Sequence, residues 1–519
     1  MNNREPVTGS FFSIGGSMKQ TSMILMVVTI LAKVFGLARE KALAQFFGVS
    51  PMADIFIVAL SIPMLFTNLL TGALGTGFIP VYNEIEEEKG HVRAELFTSN
   101  VTNTLALFFF LLSLVAIVFA RPLVKALSPG FSPQQMATAL VMTRIFLLSI
   151  AVIAVGSIYR AYLQIHGRFV ISVLHPIIMN IFIIFSVAVL SKKGILPMSL
   201  GVLFALVIQF AIFIPFLNKK LFHLVFSLKD HYLKKMLTSI FPILISTSVI
   251  ELNFIINKAL ASMVTSGGIA ALNYASRLQG FATGIVISSI VTVAYPQMAR
   301  AIASGDKPGL NKSFSEGLSL MNLLVIPATV GMMAFSSEIV ALLFKGGAFT
   351  DQDAAMTGAV LFYYALSIPA IGFREMLSRI FFAKGYVKTP VINSVLIILM
   401  NTGLSLVASK YMGLAGLGLA TSLSMIIGSL LLALALKKDL GEKIGDFNWV
   451  QVLKVCLATA LMTLLAKLVY WKVSQVLGLR LGILVAIGLG GLAYFVLLAL
   501  FRVKEVQELK EALLRRRAK

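Results

Sequence analysis

Lys33, Arg39, Glu40 and Lys41 fall within the first long apolar run of this 519-residue chain. A charge held deep in an apolar medium costs about 2.5–3.5 kcal/mol on insertion scales, so each such residue must face a partner or a water-filled cavity. Gly36 and Glu40 follow Lys33 at spacings of three and seven, which puts the three on one helix face. Asp54 opens the second run. Arg144 and Arg160 lie in the fourth, Glu251 and Lys258 in the seventh, Arg277 in the eighth, and Arg374, Glu375 and Arg379 in the tenth. Cations outnumber acids here by about two to one. A proton or cation relay would favour carboxylates, whereas Arg forks onto phosphate oxygens and Lys supplies a point charge, so the balance suits an anionic ligand. Arg160, Arg379 and Lys41 lie near predicted helix ends, where snorkelling to headgroups accounts for them. Glu40 beside Lys41, and Glu375 beside Arg374, read as local ion pairs. Lys33, Arg39 and Arg277 remain as the candidate binding cations.

Catalytic patterns are missing from the sequence. There is no HExxH, GxSxG or Walker A string. The five histidines are scattered, and one cysteine, Cys456, excludes a disulfide framework or a thiolate metal site. GALGTG at Gly72 lies inside an apolar run with no strand before it, so it reads as close helix packing rather than a phosphate loop. No cofactor and no metal are expected, and without a nucleotide site any pumping would draw on a cation gradient, the membrane potential or the substrate gradient.

The elements that carry these residues are membrane helices. The chain is 58% hydrophobic and 13% charged, with a mean hydropathy of +0.92; soluble domains average roughly 45–50% apolar and about 25% charged. Runs long enough to cross a bilayer, about 20 residues each, recur at roughly 22–48, 52–82, 98–120, 136–165, 169–191, 195–217, 237–262, 269–298, 314–337, 355–383, 388–409, 413–436, 450–472 and 480–501. The prediction is an all-α polytopic membrane protein of about fourteen spans, with kinks at Pro63, Pro242 and Pro369. A net charge of +22 invites a nucleic-acid reading, but the Lys and Arg residues sit in short clusters between the runs. Alternating from a cytoplasmic N-terminus gives the inner segments a roughly three-to-one excess of them, led by 218–236 and the tail after Phe501, so both termini are expected in the cytoplasm. That tail, 502–519, reads either as a basic amphipathic helix on the inner leaflet or as a solvated basic tail. The first run is too long for a cleaved signal and lacks an A-x-A site.

The chain also repeats itself at an offset of about 216–221 residues. SPGFSPQQMATALVM from Ser128 matches GGAFTDQDAAMTGAV from Gly346. Tyr159–Arg160 followed by HGRF matches Ser378–Arg379 followed by KGY, Met179–Asn180 matches Met400–Asn401, and Pro80 matches Pro296. Spans one to six therefore equate with seven to twelve, and spans 13 and 14 are an appendage. Six is even, so the two lobes, 1–217 and 237–436, are expected to be related by an axis along the membrane normal, facing a cavity in an alternating-access design; 218–236 is a cytoplasmic basic linker. A duplicated scaffold with no pathway is the competing reading.

AKVFGLAREKALAQFFGVSPMADIFIVALSIP from Ala32, followed by GALGTGFIPVYNE, resembles the opening helices of the MurJ (MviN) family of lipid II flippases, in the multidrug/oligosaccharidyl-lipid/polysaccharide exporter superfamily. NYASRLQGF from Asn273 resembles its eighth helix; KGGAFTDQDA from Lys345 and AKGYVKTP from Ala383 resemble later loops. The resemblance runs from about Ser22 to Leu500. It implies outward movement of undecaprenyl-pyrophosphate-linked disaccharide-pentapeptide for peptidoglycan synthesis in the bacterial cell membrane. It places the pyrophosphate on cavity arginines and the polyprenyl tail in a groove at 450–501. Arg39 and Arg277 match family arginines, Lys33 stands where another is usual, and Asp54 matches the aspartate opening helix two. Cell-wall synthesis proteins are possible partners; nucleic acid is not expected.

Two departures bear on cargo and coupling. The family's second-helix arginine has no counterpart: the chain reads PMLFTNLLTG, with Thr67 and Asn68 near that place. The positions matching a carboxylate-bearing sodium site are Asn257, Asn401, Ser405 and Thr421, with no acid among them, and Glu251 is the alternative coupling residue. Other polyprenyl-linked glycans (capsule, O-antigen or teichoic precursors), a drug or cation antiporter, and a non-transporting scaffold are the competing functions; an antiporter cavity should be acidic or apolar.

Overall fold

The computed structural model describes residues 18–440 and 448–507. Most of the expected basic tail, from 508 on, lies outside the described residues. The described chain is helical, with no strand beyond one isolated bridge between Gly346 and Phe349. In order the helices are α1 (Met18–Phe47), α2 (Pro51–Lys89), α3 (His91–Val118), α4 (Ala120–Leu127), α5 (Pro133–Leu147), α6 (Ile150–Ile165), α7 (Phe169–Phe185), α8 (Ile195–Ala211), α9 (His231–Val264), α10 (Gly268–Ala303), α11 (Lys307–Ala334), α12 (Ser336–Phe344), α13 (Asp351–Ala365), α14 (Ile368–Ala383), α15 (Lys388–Met412), α16 (Leu414–Leu440) and α17 (Trp449–Leu500).

Ten described helices are long and apolar enough to cross a membrane, eleven with α13–α14 as one span bent by 40°. α1 and α9, of 30 and 34 residues, are as long. The 52 residues of α17 would span about 78 Å at 1.5 Å rise, and Gly478 (φ 76°, ψ 167°) leaves the helical region, dividing them into two crossings. Among the described residues ten or eleven helices thus meet the length and apolarity of a span, and α1, α9 and the second half of α17 are the further elements from which the expected fourteen would be made up.

The repeat is visible in local geometry. α5 and α13 each begin with a reciprocal capping box, Ser132 with Gln135 and Thr350 with Asp353, satisfying two otherwise orphaned backbone donors. Their spans then break at equivalent places, and α6 and α14 begin at 150 and 368, the same shift of 218 that separates the starts at 133 and 351. At each break a serine hydroxyl folds back on its own helix: Ser149 Oγ donates to the Phe146 carbonyl at 2.7 Å and Ser367 Oγ to the Tyr364 carbonyl at 2.8 Å. The kink expected at Pro369 falls at Ser367, with Pro369 in the first turn of α14. α2 and α9 run through Pro63 and Pro242 as single helices, and the fourth span breaks with no proline at all.

The chain divides into two compact units, Met1–Ile269 and Ala270–Lys519. The repeat makes α9 the start of the second copy, yet by packing α9 belongs to the first unit, lying along α2 and touching α4. Within that unit α1 packs on α7, and α2 on α5 and α6, around fully buried Phe56, Phe78, Tyr82, Phe97 and Phe146. In the second unit α15 and α16 pair, α13 lies against α12 and α16, and α17 packs on α11. Tyr494 Oη donates to the Leu323 carbonyl there at 2.7 Å. Away from that contact α17 exposes Leu453, Leu457, Leu461, Leu464 and Leu468, an apolar stripe at helical spacing that suits lipid.

Candidate functional site

α1 turns its charged face toward α7. Arg39 and Glu40 are both buried, and Arg39 Nη2 donates to Glu40 Oε1 at 2.5 Å. The local pair expected between Glu40 and Lys41 is therefore formed with Arg39 instead; the Lys41 side chain is exposed. Arg39 Nε is buried with no hydrogen-bond partner, so a guanidinium donor is left over for a ligand or water. About two turns earlier, Lys33 is half-buried. Between them a Cβ on Gly36 would stand 3.9 Å from Asn180 Nδ2 of α7, and Asn180 is buried with its Oδ1 unpartnered. Asn180 was named in the sequence only as a repeat landmark; its chemistry lies in sharing this face.

Asp54 is almost wholly buried at the start of α2, and its Oδ2 accepts from the Gly267 N–H at 2.7 Å. The carboxylate thus holds the end of the α9–α10 turn. A cavity of ≈ 510 Å³ opens beside it, lined in part by Met52, Ile55, Ser132, Gln134 and Ser266.

A polar seam joins α2 to α9. Asn68 Nδ2 donates to Glu251 Oε1 at 3.0 Å, and Lys258 Nζ donates to Ser61 Oγ at 2.5 Å. Further along, a Cβ on Gly77 would meet Ile240 Cγ1 at 2.4 Å, and Lys235 Nζ reaches both Glu84 oxygens at 2.6 Å. Asn68 is the residue near the missing arginine, so that place is filled by an amide serving an acid of α9. Ser61/Asn68 and Glu251/Lys258 are both spaced by seven, a signal present in the sequence that becomes a contact only once α9 is known to lie on α2.

In the second unit Arg277 is exposed on α10. Two residues on, and so on the opposite side of the helix, Gln279 Nε2 donates to the Tyr364 carbonyl at 2.8 Å and to Ser367 Oγ at 2.5 Å, fixing how α10 presents Arg277. Asn401, Ser405 and Thr421 are brought together: the Asn401 Oδ1 accepts from Thr421 Oγ1 at 3.1 Å and from Ser405 Oγ at 3.4 Å. Asn257 is buried in the first unit. Glu375 pairs with Arg379 at 2.6 Å rather than with Arg374, whose guanidinium bonds Asn393 Oδ1 and Ser394 Oγ. The i,i+4 spacing explains this choice, since adjacent residues point to different helix faces. Among the described residues no group of three or more His, Cys, Asp or Glu side chains is placed to hold a metal ion.

A second polar cluster lies at the turn after α6. The His166 ring lies 4.1 Å from that of Tyr162, tilted by 31°, and 6.0 Å from that of His91. Burial lowers the His166 pKa below its ordinary 6.5. Its neutral form is thus the one that packs, so its contribution to stability is present above the unfolded pKa and is lost as pH falls. Hydrogen-exchange protection of the α6–α7 turn, corrected for intrinsic rates, should decline as pH drops below about 6.5, and His166→Phe should remove the decline. Protection that ignores pH in the parent protein would count against this.

An all-helical chain with ten or eleven described helices long and apolar enough to cross a membrane is a polytopic membrane protein. The profile of the family described as "Lipid II flippase MurJ" matches residues 43–490. The chain belongs to this family. It is 27% identical over 414 residues, 78% of this chain and 81% of the relative, to a probable lipid II flippase MurJ of Rickettsia prowazekii. It is 28% identical over 455 residues, 85% and 88%, to the lipid II flippase MurJ of Burkholderia cenocepacia. Among solved structures, a lipid II flippase MurJ in an inward closed conformation superposes with a TM-score of 0.80 at 26% identity, covering 92% of this chain and 98% of that one. An inward-facing multidrug transporter of the MOP superfamily shares the fold at 14% identity and a TM-score of 0.65, covering 81% and 98%.

Proposed function

We propose that the chain moves lipid II, a polyprenyl-pyrophosphate-linked disaccharide-pentapeptide, from the inner to the outer leaflet of the bacterial cell membrane by alternating access. It works as a transporter and not as an enzyme, with both termini in the cytoplasm. The observation that carries this reading is in-span cations on both copies of the repeat within a member of this family: Lys33 and Arg39 on α1 and Arg277 on α10. Lys33, Arg39 and Arg277 hold the pyrophosphate, and the halves of α17 offer the tail an apolar groove. Asp54, bonded to backbone, orders the α9–α10 turn around the cargo. Glu251 is the coupling residue we favour, through its Asn68 bond, over Asn257 and the Asn401–Ser405–Thr421 group, whose hydroxyls already serve the Asn401 oxygen. The driving force is a cation gradient or the membrane potential.

Expression in a MurJ-depleted strain should restore growth and cell shape. Failure to do so, with the protein abundant in the membrane, would overturn lipid II as cargo. The outcome would then favour another polyprenyl-linked glycan, a reading motivated by Asn68 near the place of the second-helix arginine.

A further inference from the structure

Residues 221–230, between α8 and α9, form a strap held by one face of α3: it leaves a 3-10 turn at Phe222, runs without regular structure over 223–227 and closes in a turn at 227–230. Ser99 Oγ donates to the Leu221 carbonyl at 3.1 Å, and Asn103 Nδ2 to the carbonyls of His223 and Val225 at 2.8 and 3.2 Å. Asn100 takes both backbone groups of Ser227, and Arg93 pairs with Asp230 at 2.6 Å. These α3 residues recur at helical spacing, and the backbone groups they hold, at 221, 223, 225 and 227, fall on every second residue of the strap. The alternation leaves Phe222, Leu224, Phe226 and Leu228 on the outside, with Leu224 and Leu228 exposed to 85% and 76%. Such a row beside water is costly, and so much of it in ten residues marks a surface that something covers.

The charges say what covers it. The acids nearby are already engaged: Asp230 with Arg93, Glu84 with Lys235, and Glu88 with the Tyr232 hydroxyl. Lys219, Lys229 and Lys234 are exposed and make no ion pair among the described residues. Lys234 also stands at a groove of ≈ 620 Å³ otherwise lined by Leu228, Leu233, Leu237, Thr238 and Phe241. A groove walled by apolar side chains, with uncompensated ammonium groups beside it, is complementary to one acyl chain under an anionic headgroup.

We infer that the strap and its groove form a binding site for anionic phospholipid of the inner leaflet, separate from the cargo cations. Phe222, Leu224, Phe226 and Leu228 sink to the headgroup–acyl boundary, the groove takes an acyl chain, and Lys219, Lys229 and Lys234 meet the phosphates. The inference rests on the proposed orientation, which puts this segment on the cytoplasmic side.

The test uses the full chain carrying Cys456→Ser and Leu224→Cys, labelled with a polarity-sensitive thiol fluorophore. It is reconstituted into phosphatidylcholine vesicles with and without phosphatidylglycerol, each doped with lipid brominated near the headgroup. Quenching that strengthens with phosphatidylglycerol is expected. Retention of phosphatidylglycerol by the purified protein, read by native mass spectrometry, should fall by about fivefold for each of Lys219→Gln, Lys229→Gln and Lys234→Gln, the worth of one lysine at an anionic surface. An unquenched probe in both vesicles would overturn the site and leave the apolar row to a protein partner. Undiminished retention in the triple variant would overturn the role of the lysines. Labelling of Leu224→Cys in intact cells by an impermeant reagent from outside would overturn the orientation. Loss of flipping in these vesicles with quenching intact would instead count against the transport reading alone.

Discussion

Arg277→Ala should cut lipid II flipping by about 10- to 100-fold while the protein inserts and accumulates normally. The side chain is exposed on α10, and the helix is held independently by Gln279 on its other side, so α10 stays anchored when Arg277 is truncated. A charge-assisted hydrogen bond to a phosphate contributes about 1.5–3 kcal/mol, which corresponds to a fall of about 10- to 100-fold in transport. Arg277→Lys keeps the charge and loses the fork, so it should fall between the two. The measurements are rescue of a depleted strain and flipping in proteoliposomes, each normalised to membrane-inserted protein. Parental rates in Arg277→Ala would remove Arg277 from the site.

The reach of the sequence is clearest where one residue type had one physical use. Fourteen apolar runs could do little but cross a membrane, and the repeat showed because the SPGFSPQQ and GGAFTDQD loops each end in a capping residue three places before its partner. The break in the fourth span was not legible: Ser149 turns back on Phe146 in a run with no proline, and serine is common in helices that stay whole. The Ser99, Asn100 and Asn103 contacts of α3 to the strap were hidden for another reason. They bond backbone carbonyls, which every residue has.

The charges divide the same way. Sequence order alone suggested Glu40 with Lys41 and Glu375 with Arg374, because neighbours in a list look like neighbours in space. On a helix, successive side chains are about 100° apart, and what decides is which face is buried. Arg39 and Glu40 pair because both side chains are buried and each lowers the cost of burying the other, whereas Arg379 reaches Glu375 across one turn. The pairing leaves α1 less cationic than its composition suggests, which raises the weight on Lys33, on the unpartnered Arg39 Nε and on Arg277 in holding an anion. Grouping of α9 with the first unit was equally hidden, since the repeat counts helices and says nothing of which neighbour a helix prefers.

The strongest structural prediction sits at the end of that helix. Gly267 has φ +80° in the turn that follows α9, and a Cβ there would stand 2.7 Å from both Cγ1 and the carbonyl oxygen of Val49. Any side chain must adopt left-handed backbone, at about 1–3 kcal/mol, and overpack a backbone atom that cannot rotate away, at about 1–3 kcal/mol more. Gly267→Val should therefore destabilise the first unit by about 2–6 kcal/mol and, by shifting the turn, draw the backbone N–H at 267 away from the buried Asp54 carboxylate. Gly403→Ala is the control: a helical glycine with nothing within 4 Å of its Cβ, where alanine should be neutral or slightly stabilising. Thermal unfolding in detergent should show a lowered midpoint for Gly267→Val, with flipping falling in proportion to the folded fraction. Equal midpoints for Gly267→Val and the parent would mean that the turn is not tied to Val49 and Asp54 as described, and the role given to Asp54 would fall with it.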